Sequence, residues 1–460
     1  MASDEARPPR ERRRLSRFGL AELGILVAFG ALLVRNALVY PAIAGVDALE
    51  HKTYAWDLVV NGKLGTSGSY YTPPGWYALA GELLKLGDRL DLAEIERPAQ
   101  LMSAGFVLAT AVLLLALVER CFPDRPWLRL WALSAFCACP AVVKPAAMFH
   151  PQALVLLLTT LGLVCLVALL RTTRWPVSLA VGLGLVLGAA QLVRSVGLWI
   201  YAVAAVTFAV AVVCASPGLR RRTAALAATA LAVGLLVALP WYVYLQVEYG
   251  DPIFGGRPEI TQGASPPPPV RTLASSAAAP MPVRAPLSFF TSTGLTDSVT
   301  HPYRGGGGAA FVPILLADTW GDYFGAWSWG IPDAASDPPD RGRLSLQVVV
   351  GGALTLVTAS GLLALLVLVL RSPRRRLPQL PVVGLPLVGL AALVLYAWRY
   401  PSTDGDTVKA LFLLPAAPAF AIAFAFAVDV ARARLPAVVR VAAGVGLALL
   451  LLVCAQFGIA

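Results

Sequence analysis

Long apolar segments are the feature that most constrains how this chain can fold. A helix needs about 20 apolar residues to cross about 30 Å of hydrocarbon. Eleven segments approach or exceed that length, which predicts an all-α polytopic membrane protein with about 11 transmembrane helices. The segments cover residues 19–42, 97–120, 126–143, 148–170, 176–193, 195–216, 222–247, 345–370, 379–398, 408–430 and 436–458.

The composition agrees with a membrane protein. Charged residues make up 14% of the chain, whereas about a quarter is usual for a soluble protein. The mean hydropathy is +0.71. The six cysteines all lie in or beside apolar segments, which argues against a disulfide framework and favours packing roles for the thiols.

The arginines indicate the orientation. The net charge of +11 comes largely from short basic loops that alternate with the apolar segments, as the positive-inside rule requires. We therefore expect residues 1–18 to be a retained cytosolic tail in a protein of the plasma (inner) membrane, with no need for a nucleic-acid partner. Spans 1–7 then occupy 19–247, and spans 8–11 occupy 345–460 with the C-terminus outside.

Three polar segments map to the outer side. The first is the loop 43–96, in which 74–90 is too short and too charged to cross and predicts an interfacial helix. The second is the loop 248–344, whose Pro-, Ala- and Ser-rich part at 262–286 predicts disorder. The third is the short turn at 399–409.

The first outer loop carries the densest group of polar residues. Asp47, Glu50, His51 and Tyr54 follow the spacing i, i+3, i+4 and i+7, which places them on one face of a helix. A carboxylate there can act as a general base or hold a hard cation. The plainer alternative is that Asp47 caps the helix, Glu50 and His51 are solvated, and Tyr54 belongs to an interfacial aromatic belt.

Three further polar residues map to the same side. His150 starts a helix in the turn KPAAMFHPQ, Arg194 lies where two spans meet, and Lys409 begins the tenth span. Arginine suits bidentate contact with a phosphate, and lysine at a span end can reach an anionic headgroup. The alternatives are a wet imidazole at His150, snorkelling at Arg194, and pairing of Lys409 with Asp404 and Asp406.

The spans themselves contain little charge, with Arg35 the main exception. Transporters keep ionisable groups near the bilayer midplane, so this distribution favours a membrane enzyme. A lipid-linked glycan flippase and a non-catalytic membrane scaffold are the alternatives. The WGDYF segment at 320–324 places an acid among aromatic rings, which is typical both of a sugar site and of a membrane interface.

Several short motifs together resemble the GT-C superfamily of integral-membrane glycosyltransferases, and a largely bacterial branch of it in particular. They occur in the same order over nearly the whole chain, although each is weak alone. They are VDALEHKTYAWDLVVNGKL, YYTPPGWYALAG, MFHPQAL, the arginine after the fifth span, LADTWGDYFGAW and DGDTVKALFLLP.

The resemblance implies an enzyme that moves a sugar from a polyprenyl-phosphate donor to an acceptor hydroxyl at the extracytoplasmic face. Asp47 matches the acid that is the base or a metal-associated carboxylate, and as the base it would serve an inverting single displacement. Glu50 and His51 occupy the neighbouring positions and are catalytic candidates with it. Arg194 and Lys409 match the basic residues that hold the lipid phosphate. The acceptor class (glycan, lipid or protein), the sugar and the oligomeric state stay open.

A metal also stays open. Many members carry an acidic motif in the next outer turn, but residues 144–152 contain no carboxylate. The remaining candidates are expected to contact sugar or acceptor, by stacking or by hydrogen bonding. They are Tyr54, Tyr71, His150, Trp320, Asp322 and Tyr323.

Overall fold

The computed structural model describes residues 17–45, 47–64, 72–171, 176–250, 252, 285–303, 310–324, 341–399 and 407–456. This part of the chain consists of helices and their connections, without strands. It has ten helices long and apolar enough to cross a membrane, or eleven when one bent pair is counted as a span. The prediction of an all-α protein with about 11 spans is therefore confirmed.

The ten long helices lie close to the predicted segments. They are α1 (Arg17–Val39), α4 (Arg97–Cys121), α7 (Gln152–Arg171), α8 (Pro176–Val193), α9 (Gly197–Cys214), α10 (Pro217–Tyr249), α14 (Arg341–Arg371), α15 (Pro373–Arg399), α16 (Ala410–Arg434) and α17 (Ala437–Gln456). The shorter helices are α2 (Ala48–Val60), α3 (Gly75–Arg89), α5 (Pro126–Ala138), α6 (Pro140–Ala147), α11 (Leu287–Thr291), α12 (Leu295–Thr300) and α13 (Phe311–Trp320).

The predicted span at 126–143 is a pair of helices, α5 and α6, that meet at an angle of 56°. The break lies at Cys139, whose backbone is extended with φ −78° and ψ 117°. Pro140 follows directly, and its ring disfavours the helical conformation of the residue before it. Because of the bend, α6 runs in a different direction from α5. It lies at the end of the bundle that carries α2 and α3, and we call this end the loop end.

The first loop forms two helices that pack on the bundle. Helix α3 matches the helix expected at 74–90, and its Trp76, Tyr77 and Leu84 side chains are fully buried. These side chains share an apolar cluster with Tyr54 of α2 and with Phe149, which follows α6. The loop is therefore fixed against the α6–α7 turn through a core of its own.

Arg97 connects the end of α1 to the start of α4. Its guanidinium donates to the carbonyls of Ala37 at 2.7 Å and Tyr40 at 2.8 Å, and it pairs with Glu94 at 2.7 Å. The side-chain amide of Gln100, one turn later, also donates to the Tyr40 carbonyl at 3.1 Å. These charge-assisted bonds hold the point where the chain leaves α1 for the first loop.

Some expectations fall on residues that the structure does not describe. These include the basic tail through residue 16, most of the segment expected to be disordered, and Tyr71. Asp404 and Asp406, the alternative partners of Lys409, also lie outside the described residues.

Candidate functional site

Asp47 precedes α2 in a left-handed conformation, with φ 56° and ψ 13°, and its side chain makes no capping hydrogen bond. The helix-capping alternative therefore does not describe this residue, whose side chain is exposed. Two residues earlier, Gly45 has φ +100°, and a Cβ there would meet the side chain of Met148 at 3.0 Å. Glycine thus allows this loop to lie directly on the α6–α7 turn.

The predicted polar face of α2 divides in two. Glu50 is exposed, as Asp47 is, whereas His51 and Tyr54 are 1% and 2% exposed. The Tyr54 hydroxyl donates to the carbonyl of Thr72 at 3.2 Å, and His51 Nδ1 lies 2.8 Å from the Tyr77 hydroxyl. His51 is thus part of the buried network between α2 and α3, and is not solvated.

His150 meets His51 across the loop end. The two imidazole centroids are 4.5 Å apart in an edge-to-face arrangement, and His150 is 1% exposed. The backbone N–H of Gln152 donates to His150 Nδ1 at 3.2 Å. Within the described residues, the Nε2 atoms of both rings are buried and have no hydrogen-bond partner. Each ring therefore has one buried nitrogen that is unpaired within this part of the chain.

The charges around this pair show which residues converge. Burial lowers the pKa of His51, and the cations Arg194 and Lys409 lower it further. The pKa of His150 is lowered by burial, then by His51, Arg194 and Lys409. Both imidazoles are therefore neutral at pH 7, and two cations from distant helices lie close enough to act on both rings.

The carboxylates of the first loop belong to the same group. The pKa of Glu50 is raised by partial burial and by Asp47, and Lys409 acts in the opposite direction. Asp47 and Glu50 are thus neighbours, and Lys409 lies near enough to influence Glu50. The structure brings the predicted acids, imidazoles and cations to one place at the loop end.

A second polar group lies on the other side of Lys409. A small cavity of about 40 Å³ is lined by Lys144, Asp318, Asp322, Phe324 and Lys409, among others. Lys144 pairs with Asp322 at 3.2 Å and donates to the carbonyl of Gly321. The Lys409 ammonium lies 5.7 Å from the centre of the Phe324 ring, within cation–π range.

Lys144 and Asp318 are absent from the predicted site, although both lie in segments that the sequence singles out. Asp318 Oδ2 accepts the backbone N–H of Ala410 at 2.6 Å. Burial raises the pKa of Asp318 to about 6, with Lys144 opposing that rise. A usable signal is the presence of an ionisable residue inside an otherwise apolar helix, since α6 and α13 each contain one.

A larger apolar cavity adjoins the polar one. Its volume is about 300 Å³, and its walls come from α5, α6 and α13 to α17, with Phe136, Leu316 and Leu354 among them. Ala141 and Ala410 line both cavities, so the two are neighbours. An elongated apolar group in this cavity would have its end next to Lys409.

Trp320 and Tyr323, two of the aromatic candidates, have different surroundings. Trp320 lines the apolar cavity, and its Nε1 donates to the Thr355 hydroxyl at 2.8 Å. Tyr323 is buried in an apolar cluster with its ring 5.0 Å from that of Phe324. The Trp320 and Tyr323 rings pack between α13 and the spans. Asp322 forms the ion pair with Lys144.

No metal site is evident in the described part of the chain, where no three His, Cys, Asp or Glu side chains have a metal-binding arrangement. The donor set at the loop end consists of two adjacent carboxylates facing cations and neutral imidazoles. These residues do not fit the usual requirement of a hard cation for several oxygen ligands.

Comparison with solved structures identifies the architecture. The crystal structure of the apo oligosaccharyltransferase of Archaeoglobus fulgidus matches 95% of this chain with a TM-score of 0.56 at 14% identity. The same archaeal enzyme, AglB, in complex with an inhibitory peptide and a dolichol-phosphate matches 96% with a TM-score of 0.56 at 13% identity. The chain has the fold of the GT-C glycosyltransferases.

A third GT-C structure, the archaeal enzyme tethered to an acceptor peptide with an NVT sequon, gives a TM-score of 0.50 at 13% identity over 95% of this chain. The chain spans just over half, 56%, of the archaeal enzyme. At the level of sequence, no family model and no curated protein matches. The GT-C resemblance of the short motifs is confirmed for the fold.

Proposed function

We propose that this chain is a GT-C membrane glycosyltransferase that moves a sugar from a polyprenyl-phosphate donor to an acceptor hydroxyl at the extracytoplasmic face of the plasma membrane. One observation carries the proposal: the cavity that Lys409 lines shares lining residues with an apolar cavity, and the charge of Lys409 acts on His51, His150 and Glu50. That arrangement suits a ligand with an apolar tail and an anionic head. AglB, which shares the fold, has been solved with a dolichol-phosphate.

Arg194 and Lys409 would bind the donor phosphate and stabilise the charge that develops on it as the sugar leaves. The imidazoles add hydrogen bonds without adding charge. His150 Nδ1 accepts the N–H of Gln152, so neutral His150 carries its proton on Nε2 and can donate it to an anionic oxygen. His51 lies against this ring and contributes its own Nε2 to the same region.

Asp47 would act as the base. Its carboxylate takes the proton of the acceptor hydroxyl as that oxygen attacks the anomeric carbon. The new glycosidic bond forms while the bond between that carbon and the phosphate oxygen breaks, so the polyprenyl phosphate leaves and the configuration inverts. Glu50 adds a second negative charge. This charge stabilises the partial positive charge that the acceptor hydroxyl carries as it attacks. No step of this scheme passes through a metal ion.

The sugar and acceptor would lie between the first loop and the α13 segment. Tyr71 is the candidate of the first loop for stacking on a sugar face, since Tyr54 is buried between α2 and α3. Trp320, Asp322 and Tyr323 are the candidates on the opposite side. The substrates themselves can be identified by mass spectrometry of polyprenyl-phosphate sugars and envelope glycans from cells with and without the protein. Accumulation of one lipid-linked sugar in the deficient cells identifies the donor.

The role of Asp47 can be tested with purified protein in lipid nanodiscs and that donor. We expect Asp47→Asn to lower the transfer rate by a factor of about 10² to 10⁴, the range for loss of a general base. Asp88→Asn is the matched control, because Asp88 is an exposed acid on α3 outside the site. Full transfer activity in Asp47→Asn contradicts the proposed mechanism.

A further inference from the structure

Asp318 connects helix α13 to the residue that follows Lys409. Helix α16 begins at Ala410, and the first N–H groups of a helix have no partner within it. The Ala410 N–H instead donates to Asp318 Oδ2 at 2.6 Å. Lys409 itself has an extended backbone, with φ −117° and ψ 130°. A carboxylate from another helix therefore caps α16 at the residue next to Lys409.

The pocket around Asp318 contains two lysines and one other acid. Lys144 from α6 and Lys409 from the start of α16 both line the cavity that Asp318 lines, and Asp322 is the other acid there. Lys144 is held by its own ion pair with Asp322 at 3.2 Å. Asp318 is therefore the carboxylate of this pocket that bonds to the backbone beside Lys409.

We infer that Asp318 is a positioning residue for the donor-phosphate site: it holds the start of α16 so that the Lys409 ammonium keeps its position in the cavity that both residues line. The inference rests on the proposed function. Asp318 acts through Lys409 and need not touch the donor. Loss of the cap frees the backbone at 409–410. The Lys409 ammonium then spends less time in the position where it can bind the phosphate.

A pH dependence follows from the same contact. The pKa of Asp318 is about 6, raised by burial and by Asp322 and lowered by Lys144, the Ala410 N–H and Lys409. The carboxylate is therefore ionised at pH 7.5 and largely protonated at pH 5.0. Protonation removes the negative charge of the acceptor and so weakens the cap. Glu50, on α2, is the other carboxyl on which Lys409 acts.

The experiment measures binding of undecaprenyl phosphate to the full chain in nanodiscs at pH 7.5 and 5.0. We expect Asp318→Ala to raise Kd about tenfold at pH 7.5, as expected for loss of a charge-assisted hydrogen bond that orders the site. Asp318→Asn keeps an oxygen that can accept the Ala410 N–H and should restore most of the affinity. The control is Asp297→Asn, an exposed acid in the first turn of α12.

The ratio of Kd for Asp318→Asn to that of the wild type separates the cap from titration of the ligand, which affects both proteins equally. We expect this ratio to fall between pH 7.5 and 5.0, because only the wild type loses the negative charge of its acceptor over this range. Hydrogen exchange should also be faster at residues 409–411 in Asp318→Ala.

Unchanged binding in Asp318→Ala overturns the inference, even if exchange is faster. If Asp318→Ala does not fold, Asp318→Asn provides the test. A ratio of its Kd to the wild-type Kd that does not change with pH then overturns the inference. No binding by the wild type overturns the proposed function and this role of Asp318 together, whereas binding that is equal in all variants overturns the role of Asp318 alone.

Discussion

Replacing Lys144 with methionine should destabilise the protein strongly. The Lys144 and Asp322 side chains are 8% and 4% exposed, with 3.2 Å between Nζ and Oδ1. The substitution removes the ammonium from a carboxylate that stays buried, and breaking a buried pair in this way costs about 3–5 kcal/mol. Lys144 also donates to the Gly321 carbonyl, so the cost belongs towards the upper part of that range.

The free energy of unfolding can be measured by denaturant titration in mixed micelles, followed by tryptophan fluorescence. Lys85→Met is the matched control, because Lys85 and Glu82 lie 3.0 Å apart but are 28% and 64% exposed. An exposed pair of this kind contributes less than about 1 kcal/mol. The N–O distance is nearly equal in the two pairs, so burial and the bond of Lys144 to the Gly321 carbonyl set the expected difference.

The double variant Lys144→Met/Asp322→Leu provides the second check. Removing both charges leaves an apolar pocket, and we expect it to cost less than Lys144→Met alone. Equal destabilisation by Lys144→Met and Lys85→Met contradicts the reasoning, because burial then has no effect. A double variant that is less stable than the single variant contradicts it as well.

Three further predictions concern stability. Arg97→Ala should cost about 2–3 kcal/mol through lost charged hydrogen bonds, measured by the same titration; a loss below about 0.5 kcal/mol contradicts it. Gly361→Ala should cost about 1–3 kcal/mol by overpacking, since a Cβ there would lie 1.9 Å from the Ala423 carbonyl oxygen. The measurement is thermal melting, and the control is Gly24→Ala, where an added Cβ would meet no neighbouring group within 4 Å. His51 and His150 have lowered pKa values, so the unfolded chain binds more protons below pH 6.5 and stability should fall on acidification by up to about 1.4 kcal/mol per pH unit per histidine. His150→Gln should flatten that dependence in unfolding measured from pH 7.5 to 5.0, and an unchanged slope contradicts the assignment.

Much of the candidate site could be read from the sequence because outer polar residues are rare in so apolar a chain. Asp47, His51 and Arg194 are each conspicuous against their surroundings. The division of α2 was not predictable, because periodicity gives a shared face but not its depth. Which of Glu50 and His51 is buried depends on where α3 and the α6–α7 turn pack against α2.

Lys144 and Asp318 could not be assigned from sequence for a related reason. Each lies in an apolar helix where a single charge has several plausible destinations, including snorkelling towards water. Their roles follow from partners 178 residues away for Lys144 and 92 residues away for Asp318. Only the packing of α6, α13 and the start of α16 decides that these groups meet.

The amino-acid sequence alone determined the number and positions of the membrane helices, since the need to bury about 20 apolar residues per crossing acts locally along the chain. Tertiary structure decided that the polar and apolar cavities are neighbours and that Lys409 lies between two groups of acids. Those features depend on contacts between helices that are far apart in sequence. Such contacts leave no local pattern in the sequence from which they could be predicted.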